Sequence, residues 1–188
     1  MAADTPIGPW RAPPFSKSLL APGSVPTEIR DPGLFKDDDG ACSIVFGNWR
    51  FYIARLNEDM ISLAETRRLI AINQPEGPYG KGKTDDKPNL HQRAGIYYLS
   101  WGCYYGVSDS IYGSYDCRGS LILPDRITPA LHYHGNHGID YDRHGSFFEW
   151  RGPWYFICNK MGLTQNTAFR DSSISDVNYL PNGNIDPV

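Results

Sequence analysis

The sequence has no apolar run long enough to span a bilayer, little cysteine and almost no excess of charge. The missing apolar run excludes a membrane helix. Lys and Arg number 18 against 21 Asp and Glu, a net charge of −3, so nothing favours nucleic acid or an anionic membrane surface as a partner. The four cysteines (Cys42, Cys103, Cys117, Cys158) form neither a Cys-x-x-Cys pair nor a zinc spacing. Cys103 and Cys117 either face each other across a hairpin or stand as buried thiols, and cysteine alone leaves the compartment open. Met1 to Trp10 carries Asp4, Pro6 and Pro9 where a secretion leader needs an apolar stretch, and no Asn-x-Ser/Thr site for glycosylation occurs.

What the chain does have is aromatic and turn-forming residues: 12 Tyr, 5 Trp, 19 Gly and 15 Pro in 188 residues. Short aromatic and β-branched runs bounded by glycine-containing turns predict an all-β protein. The strongest signal is an internal repeat. Gly40-Ala-Cys-Ser-Ile-Val-Phe-Gly47 matches Gly95-Ile-Tyr-Tyr-Leu-Ser-Trp-Gly102 at an offset of 55, and Gly152-Pro-Trp-Tyr-Phe-Ile-Cys158 follows at a further 57. Ala3-Asp-Thr-Pro-Ile-Gly-Pro-Trp10 matches Ser108-Asp-Ser-Ile-Tyr-Gly-Ser-Tyr115 at close to two periods.

A period of this length holds about four short strands, the size of one blade of a β-propeller. The whole chain, 1–188, then reads as a single partial propeller domain. Residues 1–15 are the end of an early blade, and 28–75, 84–125 and 142–188 are three further blades. Residues 76–83 and 126–141 are inter-blade loops, and Asp59 to Ile72 reads as a loop or short helix. About three and a half blades cannot close a ring without exposing strand edges, so the chain is expected to be a fragment or to close by association.

The repeat also sets three polar residues in register. Asp31 and Asp86 each precede their blade glycine (Gly40, Gly95) by nine positions, and His144 precedes Gly152 by eight. Each falls at the start of a first strand, which in a propeller lines the central channel. Two carboxyls and an imidazole at one end of a channel suit cleavage of a glycosidic bond, which needs an acid for the leaving oxygen and a second group to activate water or tune that acid. The plainer alternative is that each Asp only shapes a turn.

In their order along the chain these segments resemble glycoside hydrolase family 43. Ile29-Arg-Asp-Pro-Gly-Leu-Phe-Lys-Asp-Asp-Asp-Gly40 is similar to that family's I-D-P-x-h-F-x-D-D-D-G, and Leu56-Asn-Glu-Asp-Met60 to its L-x-x-D-M. Pro88-Asn-Leu-His-Gln-Arg-Ala-Gly-Ile-Tyr-Tyr-Leu-Ser100 is similar to the stretch that begins with the catalytic acid, E-G-P-x-L-x-K-x-x-G-x-Y-Y-L. His144-Gly-Ser-Phe-Phe-Glu-Trp150 with Trp154-Tyr155, then Phe169-Arg-Asp-Ser-Ser-Ile174 and Asn182-Gly-Asn-Ile-Asp-Pro-Val188, are similar to its late motifs.

The resemblance implies a five-bladed β-propeller lacking its first blade. It also implies an inverting hydrolase of arabinofuranoside or xyloside linkages in plant-type polysaccharides. Asp31 matches the residue that orients and tunes the acid. Asp86 stands where the acid Glu is usual, and one methylene less draws its carboxyl back by roughly 1.5 Å. Its neighbour Asp85, or Glu76 in a literal Glu-Gly-Pro, are the rival acids. The general base has no matching segment, so this chain alone is expected to turn over poorly. His144 matches a histidine near the channel, where some members hold a calcium ion through water; it is thus a candidate for substrate and for metal, and no cofactor is otherwise required. Arg170 matches an arginine facing the sugar. The relatives imply a carbohydrate partner, a monomer once the ring is complete and an extracellular setting.

Other features carry less. Trp49, Trp101, Trp150 and Tyr104 read as blade packing, with Trp101 kept as a sugar-stacking candidate. His132, His134 and His137 are crowded but read as a loop without metal, Asp37-Asp38-Asp39-Gly40 reads as a hairpin turn rather than a calcium loop, and Gly80-Lys-Gly-Lys83 is not a phosphate loop. The rival function is a sugar-binding propeller without catalysis. A WD-type interaction propeller is disfavoured because no Gly-His…Trp-Asp pattern recurs.

Overall fold

The computed structural model describes residues 3–11, 18–75, 84–123, 132–133, 137–138, 145–160 and 171–188. Among these there are 14 strands and no helix. The first sheet runs β1 (Gly33–Lys36), β2 (Cys42–Asn48), β3 (Arg50–Arg55) and β4 (Arg68–Leu69), each antiparallel to the next. Its first hairpin is closed by the Asp37–Gly40 turn, in which the Gly40 N–H donates to the Asp37 carbonyl at 2.9 Å and the Ala41 N–H to Asp39 Oδ1 at 2.8 Å. The Asp run is therefore turn chemistry, as its sequence suggests.

A short connection, β5 (Ile72–Asn73), leads to the second sheet: β6 (Asn89–Arg93), β7 (Ile96–Trp101), β8 (Tyr104–Ser108) and β9 (Tyr115–Ser120). These four are antiparallel, with a register shift between Tyr105 and Gly106. β5 lies within the stretch that the repeat gives to the preceding blade, yet it pairs parallel to β9 at the edge of the second sheet. The Tyr115 N–H donates to the Ala71 carbonyl at 2.8 Å, anchoring that exchange. After a small hairpin of β10 (His132–Tyr133) and β11 (His137–Gly138) comes a third sheet of β12 (Gly145–Glu149), β13 (Trp154–Lys160) and β14 (Asp171–Val177).

Strand alternation decides what packs where. On β7, Leu99 and Trp101 point to the first sheet, where Phe35, Val45, Phe51 and Ile53 meet them, while Tyr98 points the other way. That second face of the sheet, with Tyr105, meets Phe147, Phe156, Cys158 and Val177 of the third. The sheets therefore stack side by side, and their first strands are neighbours: β1 lies beside β6, and β6 beside β12. The far face of the first sheet (Ile44, Phe46, Tyr52) is covered by Val25 and the partly buried Leu19, Leu20 and Ile29.

Two local expectations are resolved. The Asp59 to Ile72 stretch is loop and short strand: the Asp59 carboxylate accepts from the N–H groups of Ile61 and Ser62 at 2.9 and 3.0 Å and from the Ser62 hydroxyl at 2.7 Å. Those donors hold its acidity on the strong side of an ordinary Asp. Cys103 and Cys117 do not face each other, since Cys117 lies opposite Gly106 and the Cys103 carbonyl accepts from the Leu121 N–H.

Candidate active site

The starts of β1, β6 and β12 surround one open cleft of about 480 Å³. Asp31, Pro32 and Gly33 come from the entry to β1, Lys87, Pro88 and Asn89 from the entry to β6, and Gly145 and Ser146 from β12. β13 adds Ile157, Cys158 and Asn159, and β14 adds Asp171 and Ser172. Gly33 permits the junction: a Cβ there would stand 2.6 Å from the Pro88 carbonyl oxygen, so no other residue allows β1 to approach β6 this closely. Asp31 is exposed at the cleft and holds φ at +41°, in the left-handed region that a non-glycine residue adopts at a cost.

The segment before β6 is more enclosed. Asp85 is buried, its Oδ1 accepts from the Asp86 N–H at 2.9 Å, and its carbonyl accepts from the Trp49 N–H at 3.3 Å. Lys87, also buried and at φ +64°, places its Nζ 2.5 Å from Asp86 Oδ1 and 3.9 Å from Asp85 Oδ2. Asp86 precedes in sequence the cleft-lining Lys87 and Pro88 and is not itself among the lining residues. Asn89, the first residue of β6, reaches across to β12: its Nδ2 donates to Ser146 Oγ, and its Oδ1 accepts from the Phe147 N–H, both at 3.4 Å. Beneath it, His91 is buried against the rings of Tyr98 and Phe147, and its Nε2 lies 2.7 Å from the Tyr179 hydroxyl. Burial pushes this imidazole down to about 3, so it is neutral at physiological pH.

Of the residues named from sequence, Asp31 lines the cleft, whereas Asp86 is not among its lining residues and reaches it through its ion pair with the cleft-lining Lys87. Glu76, His144 and Arg170 lie outside the described residues, and with His144 goes the calcium candidate. Among the described residues no group of three His, Cys, Asp or Glu side chains is placed to hold a metal ion. Trp101 is corrected. It is fully buried between the first two sheets, 6.3 Å from the Phe51 ring between centroids, and offers no face to a sugar. It lies on the same side of β7 as Leu99, which alternation makes an interior position. Sequence reasoning missed Lys87 and Asn89. The signal for Lys87 was a charged residue in the slot where the resembling motif carries glycine; Asn89 had none beyond heading a strand.

The sequence profile of glycosyl hydrolases family 43 matches residues 1–185. The chain belongs to this family. A β-D-galactofuranosidase of Aspergillus niger is 33% identical over 81% of the chain and 43% of the relative. An arabinoxylan arabinofuranohydrolase of Paenibacillus polymyxa is 25% identical over all of the chain and 33% of the relative. Among solved structures, a family 43 enzyme of Xanthomonas citri complexed with xylose superposes with a TM-score of 0.69 at 25% identity, over 85% of this chain and 56% of that one. An arabinoxylan arabinofuranohydrolase of Bacillus subtilis in complex with cellotetraose gives 0.73 at 22% identity, over 98% and 42%. The chain thus spans between a third and a little over half the length of these proteins, and its three sheets are part of a five-bladed β-propeller.

Proposed function

We propose that this family 43 chain carries the acid side of an inverting O-glycosyl hydrolase site for arabinofuranoside or xyloside linkages of plant-type polysaccharides. The supporting observation is the cleft itself, where three first strands meet with Asp31 on its wall and Asp86 ion-paired to the lining Lys87. In this reading a sugar rests across the entries to β1, β6 and β12. Asp31 orients and tunes the acid, and Asp86 gives its proton to the leaving oxygen, with Asp85 and Glu76 as its rivals. Water attacks from the opposite face of the ring, which inverts the anomeric centre. His144 and Arg170 hold the sugar, and His144 is the residue through which a calcium ion would be kept by water. The names of the relatives support the sugar class: an arabinofuranohydrolase among the curated proteins and a xylose complex among the structures. Polymeric substrates of this kind place the work outside the cell.

No segment of the chain matches the family's base, so the isolated chain is expected to bind sugar and cleave it slowly. The test is hydrolysis of aryl arabinofuranosides and aryl xylosides, run beside binding of xylotriose followed by the amide resonances of Asp31 and Asn89. Binding with little turnover is expected. Rapid hydrolysis by the chain alone overturns the impaired mechanism, and absence of binding overturns the site. A second reading, a sugar-binding propeller without catalysis, is favoured by the ion pair that occupies Asp86. In a polypeptide extended with a family first blade, Asp86→Asn separates the two: lost turnover with retained binding marks the enzyme.

A further inference from the structure

The Lys87–Asp86 pair has features that neither turn formation nor ordinary surface charge explains. Lysine is the residue type most rarely found buried, yet the Lys87 side chain is only 6% exposed, beside an Asp86 side chain at 17%. Its φ of +64° lies in the left-handed region, where glycine sits without strain and lysine does not. A chain that accepts both costs at one residue gains a cation at one particular point: the ammonium stands 2.5 Å from Asp86 Oδ1.

The surroundings sharpen the point. The other ionisable groups described at this cleft and beside the pair are three carboxyls and one thiol: Asp85, whose Oδ2 is 3.9 Å from the same ammonium, Asp31 at the entry to β1, Asp171 at the start of β14, and Cys158 on β13. Lys87 is the sole basic residue among the described residues lining the cleft. Like charges and enclosure work toward a proton on Asp86, and an ammonium at 2.5 Å works against it.

We propose that Lys87 is a positioning residue that holds Asp86 as a carboxylate and so moves the proton-loaded, leaving-group-assisting form of the site to lower pH. This rests on the reading of Asp86 as the acid. It makes the site an acid-range one: the sugar is held at neutral pH, and the proton it needs is present only as the medium becomes acidic. The ammonium takes no part in bond breaking and acts on the reaction through Asp86.

The test is the titration of the Asp86 side-chain carboxyl by carbon NMR in the whole chain, compared with Lys87→Gly, Lys87→Met and Lys87→Arg. Glycine at 87 suits the backbone, so that variant is expected to fold, and the methionine variant gives the same reading if it does not. The midpoint is expected to rise by about one to three pH units in Lys87→Gly and Lys87→Met and to stay near the parent value in Lys87→Arg. A midpoint that is the same in the parent and both neutral variants overturns the proposal; so does an arginine variant that behaves like the neutral ones, since the role would then be packing. Xylotriose binding is followed in the same samples. Loss of sugar binding in the parent chain defeats the functional reading while leaving the ion pair standing, and retained binding with an unmoved midpoint defeats the role of Lys87 alone.

Discussion

The two junctions between sheets are built differently. Between the first and second sheets the contact is Phe35, Val45, Phe51 and Ile53 against Leu90, Leu99, Trp101 and Tyr115. The buried Tyr115 hydroxyl donates to the Ile111 carbonyl at 2.8 Å, so the centre of this seam is apolar; its polar contacts lie at the rim, where the Tyr97 hydroxyl donates to the Asp37 carboxylate at 3.0 and 3.1 Å and the Tyr112 hydroxyl to Glu65 at 2.8 Å. Between the second and third sheets the contact is laced with polar groups. His91 is stacked between Tyr98 and Phe147 and bonded to Tyr179, and the Ile185 N–H donates to the Tyr105 hydroxyl at 2.8 Å. The centre of the first junction is held by a term indifferent to pH, with carboxylates only at its rim, whereas the centre of the second holds a buried imidazole whose protonation and pairing matter. A propeller can thus couple its blades by two kinds of adhesive, and the polar kind lies directly beneath the cleft.

The largest test of this contrast is Trp101→Ala. Emptying the largest buried side chain of the first junction is expected to cost about 3–5 kcal/mol, read as a lowered urea midpoint, with the same loss at pH 7 and pH 4. Next comes acid. The folded state keeps His91 neutral down to about 3, whereas the unfolded chain takes up that proton near 6.5, so acid favours the unfolded state. Stability therefore falls as pH drops below 6.5 and stops falling from this source near 3. Between pH 6.5 and 4 the loss is expected to be roughly 3 kcal/mol, and His91→Phe should remove that part of the pH dependence. An equal acid response in parent and variant would show that the second junction is not the sensitive one. The smallest effect is Tyr105→Phe, which leaves the Ile185 N–H without its acceptor and should cost about 1–2 kcal/mol, visible as faster hydrogen exchange at that amide.

What could be read from the sequence follows the physics of each feature. Glycine-bounded aromatic runs recurring at about 55 residues report hydrogen-bonded sheets, because strand period and turn chemistry are local. The same locality made the Asp37–Gly40 run recognisable as a turn. The position of Asp31 at the cleft was legible because it heads a first strand, and first strands of neighbouring sheets meet. Trp101 was misjudged as a sugar platform because the choice of face on β7 depends on which sheet lies beside it, a tertiary fact. Lys87 was passed over because a buried ion pair between adjacent residues leaves no periodic trace. The edge position of β5 was equally hidden, since two residues pair by proximity and not by pattern.

That two-residue strand has a consequence for how the molecule comes apart. Ile72 and Asn73 are joined by only two residues, Ile70 and Ala71, to the last strand of one sheet while being hydrogen-bonded into the edge of the next. Neither sheet can open at this seam without stripping a strand from its neighbour. The first two sheets should therefore melt as a single cooperative unit, and a protease cut near Ala71 would be the way to make them separable.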